Sequence, residues 1–338
     1  MTRIRAGVFG VGGWARRTLL PALDGLADVV GGVDPEPGNV VDAGIPHAYD
    51  SVESLFDAQD VDLLVVAAPD HVHVDAVRAA LGRGVAVYCE KPCGNSAASI
   101  DELAGLAGGT PATVGYSFRY SPAVQELRHD LATGVLGDVW LVELFEHNPQ
   151  FHPTLGVPVN WKGDPSCAVA GSLLEYGSHV IDLAQWLLGP IAEVSANLIR
   201  VGADRGLDDV ATLQLRFDSG VAGTLLCGWV LTGGYPGITI RLHTSGGLAE
   251  VVLSDLVTGG RRYRRCRPDG TPIPVPDLPE SAGHAHDHLT DLVAVLGGDG
   301  STRDTLPTPG DAARVLRVVD AALRATARWQ SVTDVDTA

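Results

Sequence analysis

The chain has 338 residues, more than one hydrophobic core usually supports, so its length predicts two domains. Apolar residues make up 45% of the sequence and charged residues 19%, a composition typical of globular proteins rather than disordered ones. Lys and Arg total 24 against 41 Asp and Glu, and the net charge of −17 disfavours nucleic acid and anionic membranes as partners. No apolar run approaches the roughly 18 residues of a membrane-spanning helix. The five scattered cysteines are typical of free thiols in a cytoplasmic protein.

The first third of the chain alternates apolar runs of strand length with helical patterns. Helices are predicted over Trp14–Leu23 and from about Asp70 to Arg83. The predicted strands are Ile4–Gly10, Val29–Asp34, Val61–Ala67, Val85–Tyr88 and Ala112–Gly115. Continuous apolar strands separated by helices indicate a parallel sheet covered on both faces. Residues 1–120 are therefore predicted to form an α/β domain.

The pattern changes near residue 137, where alternating apolar and polar residues become the rule. The predicted strands are Val139–Glu146, Val194–Val201, Val210–Phe217, Val221–Gly228 and Ile238–Thr244. A helix over Gly171–Leu188 interrupts them, and helices at about His286–Leu296 and Asp311–Arg328 end the pattern. Such alternation predicts an open, mostly antiparallel sheet in an α+β domain spanning residues 121–338. The two final helices could also pack back on the first domain.

A glycine-rich turn joins the first predicted strand to the first predicted helix. Gly10, Gly12 and Ala15 form the pattern G-x-G-x-x-A, with Gly13 and Trp14 between the last two positions. The first glycine permits a tight turn, the second lets the backbone approach a pyrophosphate, and the small third residue lets helix and strand pack closely. The helix N-terminus adds free N–H groups for phosphate oxygens. We therefore expect residues 10–15 to bind a dinucleotide.

Asp34 ends the second predicted strand, 24 residues after Gly10. A carboxylate at this point accepts hydrogen bonds from the adenine ribose hydroxyls and would repel a 2′-phosphate. Residues 35–39 contain no Arg or Lys to hold such a phosphate, so NAD is favoured over NADP. The alternative is an ordinary turn carboxylate. With the glycine turn, Asp34 predicts that residues 1–120 form an NAD-binding Rossmann domain.

Further segments, taken with the glycine turn, resemble the glucose–fructose oxidoreductase and inositol dehydrogenase (Gfo/Idh/MocA) family. They are residues 68–73 (Ala-Pro-Asp-His-Val-His), Glu90-Lys91-Pro92, residues 115–122 (Gly-Tyr-Ser-Phe-Arg-Tyr-Ser-Pro), and residues 171–182, which begin Gly-Ser-Leu-Leu-Glu-Tyr. The resemblance keeps their order and spans nearly the whole chain. It implies a Rossmann domain, a second α+β domain, and homo-oligomers (dimers or tetramers) that often form through the open sheet. The cofactor-binding residues that it adds are Ala68, Pro69, His71, Glu90 and Lys91.

Lys91 follows the strand Val85–Tyr88, at the sheet edge where open α/β sheets bind ligands. A lysine at this edge can stabilise a developing alkoxide, and partial burial would lower its pKa. The resemblance implies this catalytic and substrate-binding role for Lys91, often with a cis bond before Pro92. The alternative is a surface lysine in a loop.

Glu175 and His179 are spaced to share one face of the predicted helix Gly171–Leu188. His179 matches the general base of the family, which takes the hydroxyl proton, and the neighbouring Tyr176 matches a substrate contact. Glu175 stands where inositol dehydrogenase-like members carry Asp, so it is expected either to orient His179 or to reshape the substrate pocket. The alternative is a core histidine bonded to Glu175.

Four further residues are weaker candidates for the substrate pocket: Arg119, Trp161, Lys162 and Tyr235. A surface arginine and a half-buried core aromatic are equally good interpretations of such residues. The run His284-Ala-His286-Asp287-His288 could chelate a metal, but structural zinc sites need three or four convergent ligands and no second cluster is obvious. We therefore predict no metal. A histidine of this run reaching the active site is the better alternative.

These features predict an NAD-dependent oxidoreductase that transfers hydride between nicotinamide and a secondary alcohol or ketone. The resemblance implies a sugar, a sugar derivative or a cyclitol as the substrate. One alternative is a biosynthetic keto-sugar reductase, including one acting on a nucleotide-linked sugar, which would need a basic site for the diphosphate. Another is a non-catalytic NAD sensor, whose mark would be loss of the lysine or the histidine; this chain has both.

Overall fold

The computed structural model describes residues 3–157, 161–201, 206–231, 237–254, 260–299 and 305–325. The first sheet comprises β1 (Ile4–Phe9), β2 (Ala27–Val33), β3 (Ala48–Tyr49), β4 (Leu63–Val66), β5 (Ala86–Cys89) and β6 (Ala112–Val114). Its strands are parallel in the order β3-β2-β1-β4-β5-β6. This order is that of a dinucleotide-binding doubly wound sheet. The predicted Rossmann domain and its five predicted strands are confirmed.

Short helices cover the first sheet. They are α1 (Leu20–Leu23, after a π-helical turn at Ala15–Leu19), α2 (Pro37–Asp42), α3 (Val52–Ala58), α4 (His73–Leu81, after a 3₁₀ turn at Asp70–Val72) and α5 (Ala97–Ala107). The central strand β4 is fully buried, as its unbroken apolar sequence predicts. Helices α2, α3 and α5 were not predicted. Two of them begin at serine caps, Ser51 and Ser96, rather than at a marked apolar periodicity.

The second sheet has eight strands in the described part of the chain. They are β7 (Val139–His147), β8 (Ile191–Ile199), β9 (Val210–Phe217), β10 (Ala222–Gly228), β11 (Gly237–Thr244), β12 (Gly247–Ser254), β13 (Gly260–Cys266) and β14 (Pro272–Ile273). Their order is β14-β13-β12-β11-β7-β10-β9-β8, and the β7–β10 pair is parallel while the others are antiparallel. The expected open, mostly antiparallel sheet is confirmed. Strands β12 to β14 were not predicted, since β13 is rich in arginine rather than alternating with apolar residues.

Helices α6 (Pro122–Ala132) and α7 (Ser178–Leu188, after a π-helical turn at Leu173–Gly177) accompany the second sheet. The final helices α8 (His284–Leu296) and α9 (Pro309–Arg324) contact the first domain. Leu289 and Leu292 of α8 are fully buried in the core that contains β1 and α1. The N–H of Val114 in β6 donates to the carbonyl of Pro307 just before α9, at 2.9 Å. No helix in the described ranges is both long and apolar enough to cross a bilayer.

Candidate active site

The glycine turn has the backbone geometry that a dinucleotide cradle requires. Gly10 has a φ of +86°, and a Cβ there would lie 2.4 Å from the backbone nitrogen of Ala68, so only glycine fits. A Cβ on Gly12 would meet no atom within 4 Å, which leaves the open side of the turn accessible to a pyrophosphate. Ala15 is fully buried against the sheet, as the pattern predicts. Gly13 lies half-buried in the same turn. These residues fit an NAD molecule.

Asp34 lies beside this turn at the carboxyl end of β2. Its Oδ2 accepts a hydrogen bond from the N–H of Val11 at 2.8 Å, and its Oδ1 accepts one from Nδ2 of Asn39 at 2.9 Å. The carboxylate therefore ties the glycine turn to the end of the second strand. None of its described partners is a cation, which matches the expected preference for NAD.

The segments after β4 and β5 are joined by a histidine that the sequence did not single out. His73 is 1% exposed, with Nε2 2.7 Å from the carbonyl oxygen of Ala68 and Nδ1 2.9 Å from that of Pro92. Ala68 and Pro69 are half-buried, whereas His71, the predicted cofactor contact, is exposed. The second histidine of the segment thus holds the two loops together. Its position two residues after His71, on the inner side of α4, is the signal that could have found it.

Glu90 connects the glycine turn to the lysine loop. Its Oε1 accepts hydrogen bonds from Nε1 of Trp14 at 2.9 Å and from Oη of Tyr88 at 3.0 Å. Trp14 is nonetheless 41% exposed, so part of its ring remains at the mouth of the cradle. The peptide bond between Lys91 and Pro92 is cis, as the resemblance implies.

Lys91 reaches from the first domain to the helix of the second. Its Nζ donates to the backbone carbonyl of Glu175 at 2.8 Å and lies 3.2 Å from Glu175 Oε2. Lys162 donates to Oε1 of the same carboxylate. The chain contains only two lysines, and both contact Glu175.

This arrangement sets the charges of Glu175 and Lys91. Burial alone would raise the pKa of Glu175, but the ammonium groups of Lys91 and Lys162 lower it to about 2. Burial lowers the pKa of Lys91, yet nearby carboxylates, with Glu175 and Asp70 foremost, raise it above its usual 10.5. Lys91 is therefore a permanent cation at neutral pH. The predicted fall in its pKa is wrong because that prediction did not count these carboxylates.

His179 lies half-buried on α7, with the ring of Phe118 at 4.9 Å and that of Tyr116 at 6.4 Å, both edge-on. Its Nδ1 has no hydrogen-bond partner among the described residues. Burial and the charge of Lys91 hold the pKa of His179 well below 6.5, so the ring is neutral and able to accept a proton.

Glu175 does not orient His179 through a hydrogen bond, since none joins the two side chains within the described ranges. The carboxylate instead accepts the charge-assisted bonds of two ammonium groups, which are stronger than a bond to a neutral imidazole. The expected orienting bond and the alternative of a core histidine bonded to Glu175 are both wrong. Glu175 lies in the π-helical turn Leu173–Gly177, an irregularity frequent at functional sites.

The other candidates for the substrate pocket differ in their contacts and in their burial. Tyr176 is 8% exposed and its Oη donates to Oε1 of Gln150 at 2.9 Å, while the ring of Trp161 lies 5.5 Å from Nζ of Lys162. Arg119 is 3% exposed and forms a bidentate pair with Asp182, at 2.8 and 2.5 Å. Arg119 is therefore a structural residue, and its predicted substrate contact is not retained. Tyr235 lies outside the described residues.

Two buried carboxyl groups near Lys91 were not predicted. Asp70 begins the 3₁₀ turn after β4, is 5% exposed, and has its pKa raised to about 7 by burial and by the charge of Glu175. Glu146 lies on β7, is 6% exposed, and burial raises its pKa well above 4.5. Glu146 shares the inward period of Val142 and Leu144 on its strand, which is the sequence signal that could have revealed it.

The three histidines at the start of α8 contact different parts of the protein. His288 is fully buried, with Nε2 2.8 Å from Oγ1 of Thr113, and His286 donates from Nδ1 to the carbonyl of Ala22 at 3.1 Å. His284 lies 5.4 Å from the ring of Phe118, which also contacts His179. Across the described ranges no three His, Cys, Asp or Glu side chains are grouped to hold a metal.

Comparisons with known proteins agree with this geometry. Residues 4–118 match the model of an oxidoreductase family with an NAD-binding Rossmann fold, and residues 124–250 match the GFO/IDH/MocA C-terminal domain. A putative UDP-kanosamine synthase oxidoreductase subunit of Amycolatopsis mediterranei (strain S699) is 32% identical over 73% of this chain and 75% of its own. The rhizopine catabolism protein MocA of Rhizobium meliloti is 27% identical over 68% and 72%.

Among solved structures, levoglucosan dehydrogenase in complex with NADH and levoglucosan superposes with a TM-score of 0.78. It is 20% identical, and the match covers 96% of this chain and 98% of that one, so it supports the fold alone. The two family models and the relative at 32% identity carry the assignment. The chain belongs to the Gfo/Idh/MocA family and is an NAD-dependent oxidoreductase acting on CH–OH groups.

Proposed function

We propose that the protein transfers hydride reversibly between NAD and a secondary alcohol of a sugar, a sugar derivative or a cyclitol. The observation that carries this proposal is the link between Lys91, from the Rossmann domain, and Glu175, on the segment that leads to His179. It supports the proposal because the charge of Lys91, a permanent cation, acts on the neutral base His179. The names of the relatives, which include sugar dehydrogenases, support the substrate class.

The roles of the residues follow from their charges. Lys91 donates a hydrogen bond to the reacting hydroxyl and stabilises the negative charge that develops on its oxygen. His179 accepts the hydroxyl proton, for which its ring must be neutral, as its lowered pKa ensures. Glu175 holds both ammonium groups in place. NAD supplies the hydride acceptor when it is bound.

Cofactor and substrate contacts are assigned to the following residues. For NAD we propose the turn residues Gly10, Gly12, Gly13, Trp14 and Ala15, the carboxylate of Asp34, and Ala68, Pro69, His71, Glu90 and Lys91 after β4 and β5. For the substrate we propose Lys91, Trp161, Lys162, Tyr176 and His179. The cleft would thus lie between a domain of residues 1–120 and a domain of residues 121–338.

The first prediction concerns Lys91→Ala. Removing one donor that stabilises an oxyanion typically lowers turnover about 10²- to 10³-fold, and we expect that loss in NAD⁺ reduction assayed with a panel of sugars and cyclitols. NAD⁺ affinity, measured by tryptophan fluorescence, should fall far less than turnover, because the glycine turn and Asp34, which are the main proposed cofactor contacts, are unchanged. The control is Arg83→Ala, which removes an exposed cation paired with Asp57 in the same domain. Full activity of Lys91→Ala would remove this lysine from the mechanism, and a wild-type protein inert towards the whole panel would contradict the substrate class.

A second candidate is a biosynthetic reductase of a nucleotide-linked keto-sugar. It is favoured by the name of one relative, a putative UDP-kanosamine synthase oxidoreductase subunit. This candidate predicts NADH oxidation with UDP-linked keto-sugars and little activity with free ones. The sensor alternative is disfavoured, because the lysine and the histidine are both in place.

We further propose a cytoplasmic homo-oligomer assembled through the open face of the second sheet. All five cysteines are free thiols, which suits a reducing compartment. Half-buried apolar side chains alternate with charged ones along that face, including Leu141, Phe145 and Leu226. The resemblance to the family supports the same surface.

A further inference from the structure

Lys162 shares a carboxylate with Lys91, although the two lysines come from different parts of the chain. Lys162 lies in the 3₁₀ turn Trp161–Gly163, and its Nζ donates to Oε1 of Glu175. Lys91 contacts the other oxygen of that carboxylate, with Nζ 3.2 Å from Oε2. The side chain of Glu175 is only 14% exposed, so these two ammonium groups, rather than water, compensate its charge.

The two contacts of Glu175 orient the ammonium group of Lys91. An ammonium group has three N–H bonds. One donates to the backbone carbonyl of Glu175 at 2.8 Å, and a second is within reach of Oε2. Nζ has no other acceptor in the described part of the chain, which leaves one N–H for the reacting hydroxyl. Lys162 holds Oε1 and thereby keeps the carboxylate turned with Oε2 towards Lys91.

Lys162 also changes the sum of charges beside the reacting oxygen. Glu175 and Lys91 alone form a neutral ion pair, whose carboxylate opposes the negative charge that develops on that oxygen. With the second ammonium group, the three side chains carry a net charge of +1 at neutral pH. Burial raises the pKa of the other carboxyl groups that act on Lys91, which are those of Asp70, Glu90 and Glu146. Among these groups only Glu175 has a lowered pKa, so its charge is the one that needs a second cation.

We propose that Lys162 is a positioning residue, which acts through Glu175 to hold the ammonium group of Lys91 against the reacting oxygen and to keep the net charge beside that oxygen positive. The inference rests on the proposed function, and it goes beyond the substrate contact proposed there for Lys162. A lysine that only bound substrate would affect KM, whereas one that acts on Lys91 through Glu175 affects kcat.

The test is a double-mutant cycle between Lys162 and Glu175. Lys162→Met is expected to lower kcat for NAD⁺ reduction by about tenfold, against about 10²- to 10³-fold for loss of a donor that contacts the oxyanion directly. KM should change less than kcat. Glu175→Gln removes the charge that links the lysines, so adding Lys162→Met to that variant should lower kcat little further.

Two more variants serve as comparisons. Lys162→Arg keeps the cation and should recover part of the turnover that Lys162→Met loses. The control Arg78→Met removes a cation that is 40% exposed and paired with Glu102, and it should behave as wild type. A loop that misfolds without Lys162 would lower kcat in both members of the cycle alike, which is not the expected result.

A second readout requires no substrate. Because the chain has only two lysines, protein labelled with ¹³C at lysine Cε gives two NMR signals, and Lys162→Met identifies the signal of Lys91. We expect Lys162→Met to shift the Lys91 signal when Glu175 is present. In Glu175→Gln the same substitution should shift it far less.

The inference is overturned if Lys162→Met lowers kcat by the same factor with and without Glu175, if it changes KM alone, or if the Lys91 signal does not respond. If the wild-type protein oxidises no compound of the sugar and cyclitol panel, the proposed function fails instead. The NMR signals then still decide whether Lys162 acts on Lys91 through Glu175.

Discussion

At the scale of single residues, the pKa values of two acidic groups near Lys91 are shifted in opposite directions. Glu175, between two ammonium groups, stays ionised down to about pH 2. Asp70 has neither lysine as a hydrogen-bond partner in the described structure, and its pKa is raised to about 7. Of the carboxyl groups that act on Lys91, one is thus fixed in its charged form and another titrates near neutral pH.

Asp70 should make the protein less stable as the pH rises. The unfolded chain loses this proton near its ordinary pKa of 3.8, whereas the folded protein keeps it up to about pH 7. The unfolded state therefore binds fewer protons in this interval, and the free energy of unfolding falls as pH rises, by about 4 kcal/mol in total for a shift from 3.8 to about 7.

Asp70→Asn is accordingly expected to flatten the pH dependence of stability between pH 4 and pH 7 and to raise stability at pH 8. Urea unfolding at pH 5 and pH 8 measures the difference. Asp75→Asn, at a side chain that is 85% exposed and lies on α4, serves as the control. Equal slopes for Asp70→Asn and the wild type would contradict the burial of this charge.

At the scale of elements, Arg119 joins three parts of the chain. It lies in the 3₁₀ turn Ser117–Tyr120, pairs bidentately with Asp182 of α7, and contacts Asp311 of α9 at 3.5 Å. This arrangement anchors the helix that carries His179 to the segment between the two sheets. A side chain predicted to bind substrate thus positions the helix instead.

Arg119→Ala should destabilise the protein by about 3–5 kcal/mol, because it leaves the charge of Asp182 buried and unpaired. The free energy of unfolding in urea is the measurement, and Arg119→Lys, which keeps the charge but not the bidentate geometry, should lose less. The control Arg216→Ala breaks a pair whose side chains are both 66% exposed, and such surface pairs contribute at most about 1 kcal/mol. Similar losses for Arg119→Ala and Arg216→Ala would refute the anchoring role.

Local features of this site could be predicted from sequence, and contacts between distant segments could not. The glycine turn, Asp34 and the place of Lys91 at a strand end follow from short-range patterns that each element needs on its own. The pairing of Lys162 with Glu175 depends on how a loop packs against a helix in the folded protein. The bond between Arg119 and Asp182 likewise joins two segments that are 63 residues apart in the sequence. A position near the cleft does not reveal whether a side chain points into it.

The sequence pattern missed strands β12, β13 and β14 for a related reason. Strand β13 carries arginines where apolar residues were expected, and its Arg264 pairs with Glu250, which is only 2% exposed. Arg241 of β11 pairs with the same carboxylate at 2.9 Å. Ion pairs across neighbouring strands thus replace the hydrophobic alternation on which the sequence pattern relies.

At the scale of the whole molecule, the open face of the second sheet is the surface that we propose joins copies of the chain. Phe145 of β7 and Leu226 of β10 lie opposite each other in register and are half-buried on this face. If this face joins copies of the chain, a charge placed there must be desolvated on assembly.

Phe145→Arg is therefore expected to convert the oligomer to monomers, as measured by light scattering coupled to size-exclusion chromatography. The control Val41→Arg adds the same charge on α2, at a side chain that is 70% exposed in the first domain. A wild-type monomer, or an oligomer that persists in Phe145→Arg, would rule out this face as the contact.

The two lysines have a practical consequence for handling the protein. A reagent that acylates primary amines finds only Lys91 and Lys162 among the side chains, and both contact the same carboxylate. Lys162, 26% exposed, should be acylated before Lys91, which is 10% exposed. Any coupling of a resin or dye to a side-chain amine, rather than to the α-amino group, therefore modifies the proposed active site. Attachment through a cysteine or an appended tag avoids this.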